Sequence, residues 1–205
     1  VEMVAESNEE LLEIYFEEGG LTGDQLATGV RDAVLEMRLF PVLCMSAAHN
    51  IGTDRILDAC LNMLPSPTDR RQLLAREDGE DVWIDADADA PFAGLVFKTV
   101  SDAFAGRINY MKTFTGCAKA DATVVNVRTG SNERLSNMSS VQGKQLQPLD
   151  EAVPGQIFAV TKLKDTGTSD TLRAKASEAV IEHVAFPKAA ISFALEPESK
   201  GDEAK

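Results

Sequence analysis

Phe92-Ala93-Gly94-Leu95-Val96-Phe97-Lys98-Thr99-Val100 opens a half-chain of β character. The run is short, apolar and rich in β-branched and aromatic residues, which suits a pleated, half-buried strand. Downstream, residues 107–115 alternate as Ile108, Tyr110, (Lys112), Phe114, a two-residue period that predicts a second strand. Residues 123–127 and 156–162 read the same way, the latter with Ile157, Ala159 and Thr161 in step. Ala105-Gly106, Gly116, Thr129-Gly130, Pro154-Gly155 and the stretch from Asp165 to Gly167 supply the turns between them. Glycines 106, 116 and 155 are read as turn or close-approach positions rather than ligand contacts. Strands at this spacing predict a closed barrel or sandwich of about 95 residues. After Phe186-Pro187, residues 190–197 are expected to form a last strand, followed by a charged tail over 198–205.

Working back from Pro91, residues 68–90 are charged and include Asp85-Ala86-Asp87-Ala88-Asp89-Ala90. With little to bury, this stretch reads as a solvated acidic linker over 68–89. It lacks the glycine and terminal glutamate of a calcium loop. The half-chain before it is helical in pattern. Leu11, Leu12, Tyr15 and Phe16 make an amphipathic stripe that Gly19-Gly20 ends. Thr22, with Gln25 three positions on, reads as a capping box opening a helix that presents Leu26, Val30, Ala33, Val34 and Met37. Residues 54–64 are helical again, with Ile56, Leu57, Leu61 and Leu64 expected to be buried before Pro65-Ser66-Pro67 stops the helix. Between these helices, Phe40-Pro41-Val42-Leu43-Cys44-Met45 is a continuous apolar run, the pattern of a strand covered on both faces. Cys44 and Cys60 are accordingly expected to be core thiols.

Composition narrows the function. The chain has 205 residues, with Lys+Arg 20 against Asp+Glu 33 and a formal net charge of −13. So acidic a chain repels phosphate at long range, so any nucleic-acid contact must come from a local patch. No run approaches the roughly 18 apolar residues of a membrane helix, so no membrane partner is expected. Three cysteines without CxxC spacing argue against a disulfide framework and for a reducing cytoplasm. The opening, without an apolar leader or an initiator Met, reads as the middle of something longer. His49 and His183 stand far apart, and neither a GxSxG elbow nor a GxxxxGK[ST] phosphate loop is present. No metal site and no catalytic residue is therefore assigned. At the end of the apolar run, Ser46-Ala47 places small residues where α/β folds bind ligands and where backbone N–H groups can approach a planar base.

Phe40 to Ala47, followed by Asn50, Gly52, Leu57, Leu61 and Leu64-Pro65-Ser66-Pro67, resembles the end of the GTP-binding domain of bacterial elongation factor G. Asn8 to Glu13, Tyr15 and Leu21-Thr22 resemble that family's helical insert. Ala90-Pro91-Phe92-Ala93, Phe97-Lys98, Asp102, Phe104, Gly106-Arg107 and Gly116 resemble the start of its second, barrel domain. Gly155-Gln156-Ile157 and Leu163-Lys164-Asp165-Thr166 with Gly167 and Asp170-Thr171-Leu172 resemble its far end, and Leu195-Glu196-Pro197, Ser199-Lys200 and Asp202 to Lys205 the entry to the third domain. Met45, Ala48 and residues 49–53 depart from the family pattern, which points to elongation factor G or an elongation-factor-G-like paralogue.

The resemblance implies an α/β remnant of a P-loop GTPase domain (helices, one core strand, last helix) followed by an antiparallel β-barrel of the translation-factor domain II type. The implied layout is 1–67 for the end of the GTPase domain with part of its insert, 68–89 linker, 90–187 barrel and 188–205 the start of domain III. It implies a cytoplasmic, ribosome-associated GTPase that promotes translocation, with a ribosome-protection protein of the tetracycline-resistance type or a stand-alone β-barrel binding module as alternatives. Ser46, Ala47 and Ala48 would hold guanine in the full-length protein, which uses GTP or GDP with Mg; no cofactor is expected on this stretch alone. Lys98, Arg107, Lys112, Lys119 and Arg128 are candidates to face small-subunit rRNA. Because a lone apolar strand has open edges, self-association through residues 40–45, or their rearrangement, is expected.

Overall fold

A computed structural model describes residues 1–69, 72–76, 80–102, 105–143, 145–181, 186–194 and 196. The chain divides between Ser66 and Pro67 into two units. The first holds helices α1 (Glu2–Ala5), α2 (Glu9–Glu18), α3 (Gly23–Leu35) and α4 (Thr53–Met63). Each boundary has a local cause. The Asn8 side chain accepts from the N–H groups of Glu10 and Leu11, capping α2, and Gly19 ends it at φ 73°. Thr22 and Gln25 form the predicted capping box of α3. Gly29 lets α3 approach its neighbours: a Cβ there would stand 2.6 Å from Val4 Cγ1 and 2.6 Å from Leu11 Cδ1. The small core comprises Val4, Ala5 and Ala33.

The apolar run at 40–45 is not the predicted core strand. Apart from an isolated antiparallel bridge between Ser46 and Ile51, residues 40–52 form no strand. Phe40 is 77% and Val42 91% exposed. Cys44 and Cys60 are exposed rather than core thiols. In α4, Leu57 and Leu61 lie open to solvent and no residue is buried. The apolar sequence is that of a buried strand and a covering helix, but among the described residues no strand pairs with it. An apolar pattern records what a segment is suited to, and burial needs a partner.

The second unit is antiparallel β. Its strands are β1 (Gln72–Arg76), β2 (Asp81–Ile84), β3 (Ala93–Asp102), β4 (Gly106–Thr115), β5 (Ala118–Lys119), β6 (Thr123–Asn126), β7 (Asn132–Arg134), β8 (Met138–Gln142), β9 (Gln145–Pro148), β10 (Glu151–Ala152), β11 (Ile157–Thr161), β12 (Thr171–Arg173) and β13 (Ala179–Val180). Eight of them form one sheet in the order β7-β6-β12-β3-β4-β11-β8-β9, while β10 pairs β5 and β1 lies between β13 and β2. Among the described residues β7 and β9 are not paired with each other, so the large sheet is not closed into the expected barrel by hydrogen bonds. It wraps a core that includes Phe92, Val96, Met111, Leu135, Phe158 and Leu172. Burying one such large side chain contributes about 1.5–3 kcal/mol.

Two further expectations change. Residues 68–89 are not simply a solvated linker: β1 and β2 lie within them, and the Gly116 N–H donates to Asp87 O at 2.7 Å, tying the Asp-Ala run to the end of β4. Residues 190–194 form no strand and are exposed. The charged tail over 198–205, the Leu195-Glu196-Pro197 match apart from Glu196, Ser199-Lys200, Phe104 and His183 fall outside the described residues.

Candidate functional site

The β3–β4 ribbon carries the surface that could meet a polyanion. Along β4 a two-residue period holds from Asn109 onward: Asn109, Met111, Thr113 and Thr115 are buried, while Tyr110, Lys112 and Phe114 are only partly covered; Ile108, in step with the latter set, is buried as well. Tyr110 and Phe114 thus lie off the core face, and polar residues share that face with Met111. Thr99 Oγ1 donates to Asn109 Oδ1 at 2.9 Å, whereas Asn109 Nδ2 and Thr113 Oγ1 have no partner among the described residues.

Register makes the surface possible. Val96 faces Met111 and Lys98 faces Tyr110, which leaves Phe97 as an extra residue on β3. Strict alternation would turn Lys98 toward the core beside Val96. The bulge at Phe97 lets two successive residues, Phe97 and Lys98, both face solvent. A second irregularity, between Ala93 facing Thr115 and Gly94 facing Thr113, makes Phe114 the extra residue on β4. Lys98 Nζ stands 6.0 Å from the Tyr110 ring centroid and Lys112 Nζ 5.5 Å from that of Phe114. The Phe97 and Tyr110 rings lie 6.5 Å apart, tilted by 43°. Arg107 lies beside the β3–β4 turn, exposed and opposite Ser101.

The five cationic candidates therefore separate. Lys98, Arg107 and Lys112 belong to one ribbon. Lys119, on β5, lies 3.9 Å from Glu151 of β10. Arg128 is committed elsewhere: its Nε and NH2 both donate to the Asp170 carboxylate, and NH2 also donates to Asp165 O at 2.9 Å. Asp170 further accepts from Asn126 Nδ2 at 2.9 Å and from the Gly167 N–H at 2.8 Å. Burial alone would push its carboxyl up. The hydrogen bonds from Arg128, Gly167 and Asn126, with the Arg128 charge, outweigh that and hold it below the usual carboxylate range. The buried Glu133 carboxylate, on β7, accepts from the N–H groups of Lys164 and Asp165 and from Thr166 Oγ1. Asp170 and Glu133 together shape the 164–167 loop. Sequence reading missed Glu133, whose one trace was a carboxylate inside a short strand.

Ser46, Ala47 and Ala48 lie in the other unit. Ser46 exchanges both backbone hydrogen bonds with Ile51 at 3.0 Å, and the Asn50 N–H donates to Ala47 O at 3.3 Å, so residues 46–51 form a tight turn. Asn50 takes φ 51°, its Oδ1 accepts from Thr53 Oγ1 at 2.7 Å, and Gly52 then caps α4 at φ 77°. Ala47 and Ala48 are exposed. The turn offers small side chains beside a backbone edge, and the sequence given contains no GxxxxGK[ST] motif.

A concavity of about 390 Å³ near β2 and β13 has Asp85, Asp87 and Glu178 among its lining residues. Those carboxylates make it unsuited to a polyanion. Among the described residues no group of His, Cys, Asp and Glu could hold a metal ion, and no helix is long and apolar enough to cross a membrane.

Residues 91–175 match the family model for elongation factor G domain 2. A solved crystal structure of a protein from Thermus thermophilus matches 99% of this chain at 28% identity and a TM-score of 0.73. This chain covers 28% of that protein's length. The family model begins at Pro91, just ahead of β3, and ends just after β12, so it contains the Phe97 bulge, the Lys98 and Lys112 ribbon and the loop held by Asp170. Residues 91–175 match elongation factor G domain 2, and over that stretch the chain is elongation-factor-G-like.

Proposed function

We propose that this chain works as part of a cytoplasmic translation factor that docks on the small ribosomal subunit through the β3–β4 ribbon of its domain 2, with Lys98, Arg107 and Lys112 meeting rRNA phosphates. The observation that carries the reading is a cationic ribbon within the domain 2 match of a chain whose net charge is −13. A local patch on an acidic molecule selects a site, whereas a uniformly basic surface would bind any polyanion. GTP-driven translocation is the task proposed for the whole protein. There Ser46 and the N–H of Ala47, at the 46–51 turn, contribute to guanine selection, since an amide donor satisfies the keto oxygen of guanine and adenine has none. Phosphate and magnesium binding are likewise proposed for the whole protein, and closure of the domain 2 sheet into a barrel for the assembled factor.

Cosedimentation of the chain with isolated small ribosomal subunits across a salt series tests the docking. Binding should weaken as salt rises, and K98Q/K112Q should lower the slope of log K against log salt by about 1.4, at roughly 0.7 for each phosphate left without its lysine. No binding at low salt, or an unchanged slope, rejects the docking surface.

A further inference from the structure

Simple phosphate neutralisation needs lysines and nothing else. The ribbon carries more: the rings of Phe97, Tyr110 and Phe114 alternate with Lys98 and Lys112 on one stretch of sheet. Phe97 is 40% exposed, although a phenylalanine on a sheet would ordinarily be buried or covered. The bulge at Phe97 keeps its ring beside Tyr110 while holding Lys98 outside the core. Tyr110 and Phe114 are four residues apart on one strand, with Lys112 between them, so each ring can take its own base beside a shared cation.

We propose that this face is a stacking platform for unpaired RNA bases, with Lys98 and Lys112 holding the adjoining phosphates. The inference rests on the ribosomal reading above and specifies what kind of RNA the ribbon takes. An aromatic face accepts any exposed base, because every base has a π surface, while a duplex hides its faces in the stack. Charge complementarity decides the occupant: two lysines among one exposed and two partly exposed rings suit a flexible polyanion with flat apolar groups and disfavour a purely apolar partner. The tilt between Phe97 and Tyr110 suits bases resting on single rings rather than one clamped between two.

The test compares a fluorescent single-stranded uridine decamer, a ten-base-pair RNA duplex and isolated small subunits as probes for the whole chain. Wild type should bind the decamer more tightly than the duplex, and the Phe97 and Tyr110 ring protons should shift upfield on binding. F97L/Y110L should weaken decamer and subunit binding at least about 5-fold while leaving the salt slope unchanged; K98Q/K112Q should lower the slope. Amide spectra matching wild type confirm that each variant folds, and the ring-proton shifts report stacking in wild type without any variant. If F97L/Y110L binds subunits and decamer as well as wild type, or if the duplex binds as tightly as the decamer, the platform is rejected while ribosome docking stands. If sedimentation shows a second copy of the chain occupying the face and RNA unable to displace it, the platform is also rejected. If wild type binds the decamer but no subunits, the docking reading fails instead, and if it binds neither, both fail.

Discussion

Gly116 follows β4 at φ 64°, and a Cβ there would stand 2.4 Å from Phe92 N and 2.5 Å from Ala90 O. Backbone conformation and space both require glycine. Gly116→Ala should therefore destabilise the β unit by about 2–4 kcal/mol, the sum of left-handed strain and forced repacking. Gly106→Ala is the control: at φ 72° with nothing within 4 Å of its Cβ, it should cost about 1–2 kcal/mol. Thermal unfolding followed by far-UV dichroism separates the two. Asp170 gives a pH prediction. Its carboxyl is depressed in the folded state, so its stabilisation is fully present above the unfolded value of about 3.9 and is lost as pH falls through the lower folded value. The Arg128 side chain is 55% exposed, so solvent screens part of the pair, and the hydrogen bonds carry most of the effect. Asp170→Asn should cost about 1.5–3 kcal/mol at neutral pH and flatten the acid limb of stability against pH. An acid limb as steep in the variant as in wild type would assign it to other carboxylates.

At the scale of elements, residues 40–45 and β3 pose the same question with opposite answers. Both are apolar runs of strand character. β3 is flanked in the sheet by β4 and β12, so Ala93 and Val96 are buried. Residues 40–45 have no paired neighbour among the described residues, and Val42 stays 91% exposed. An extended apolar segment in water recruits another chain or rearranges, because its backbone groups and side chains both gain from pairing. The isolated chain should self-associate through this segment as concentration rises, and Val42→Lys should suppress that in sedimentation velocity without lowering the unfolding temperature of the β unit. Association unchanged by Val42→Lys would place the contact elsewhere, with the exposed Leu57 and Leu61 of α4 the next surface to examine.

For the whole molecule, the two units differ in how much they bury. The β unit encloses a core of large side chains fully removed from water, Phe158, Met111, Leu135 and Leu172 among them. The helical unit buries Val4, Ala5 and Ala33, and neither α2 nor α4 contains a buried residue. Hydrophobic stabilisation scales with apolar area removed from water, so opening free energies should be far higher in the β unit. Amide exchange should protect Met111, Phe158 and Val160 most strongly and leave Val42 and Leu43 almost unprotected. Equal protection across both would mean that the helical unit gains cover in solution.

Local chemistry was legible in the sequence where the cause is local. The Thr22–Gln25 capping box, the Gly19 stop, the turn glycines and the strands corresponding to β3, β4, β6 and β11 depend on residues close together in the chain, and the structure contains each of them. The family signal in Pro91 to Gly116 and 155–172 was legible for a different reason: several short words recur in one order, and the domain 2 match covers them. What the chain could not announce is everything that depends on a distant partner. The period of β4 was visible, but the burial of Asn109, Met111 and Thr113 rather than Tyr110 and Phe114 depends on pairing with β3 and β11 and on the bulge at Phe97. Arg128 and Lys98 look alike as sequence, and only the placement of Asp170, 42 residues further on, separates a loop clamp from a candidate phosphate contact. Residues 40–45 carry the composition of a core strand and lie exposed, because composition sets a preference for burial while neighbours in space decide whether it is met.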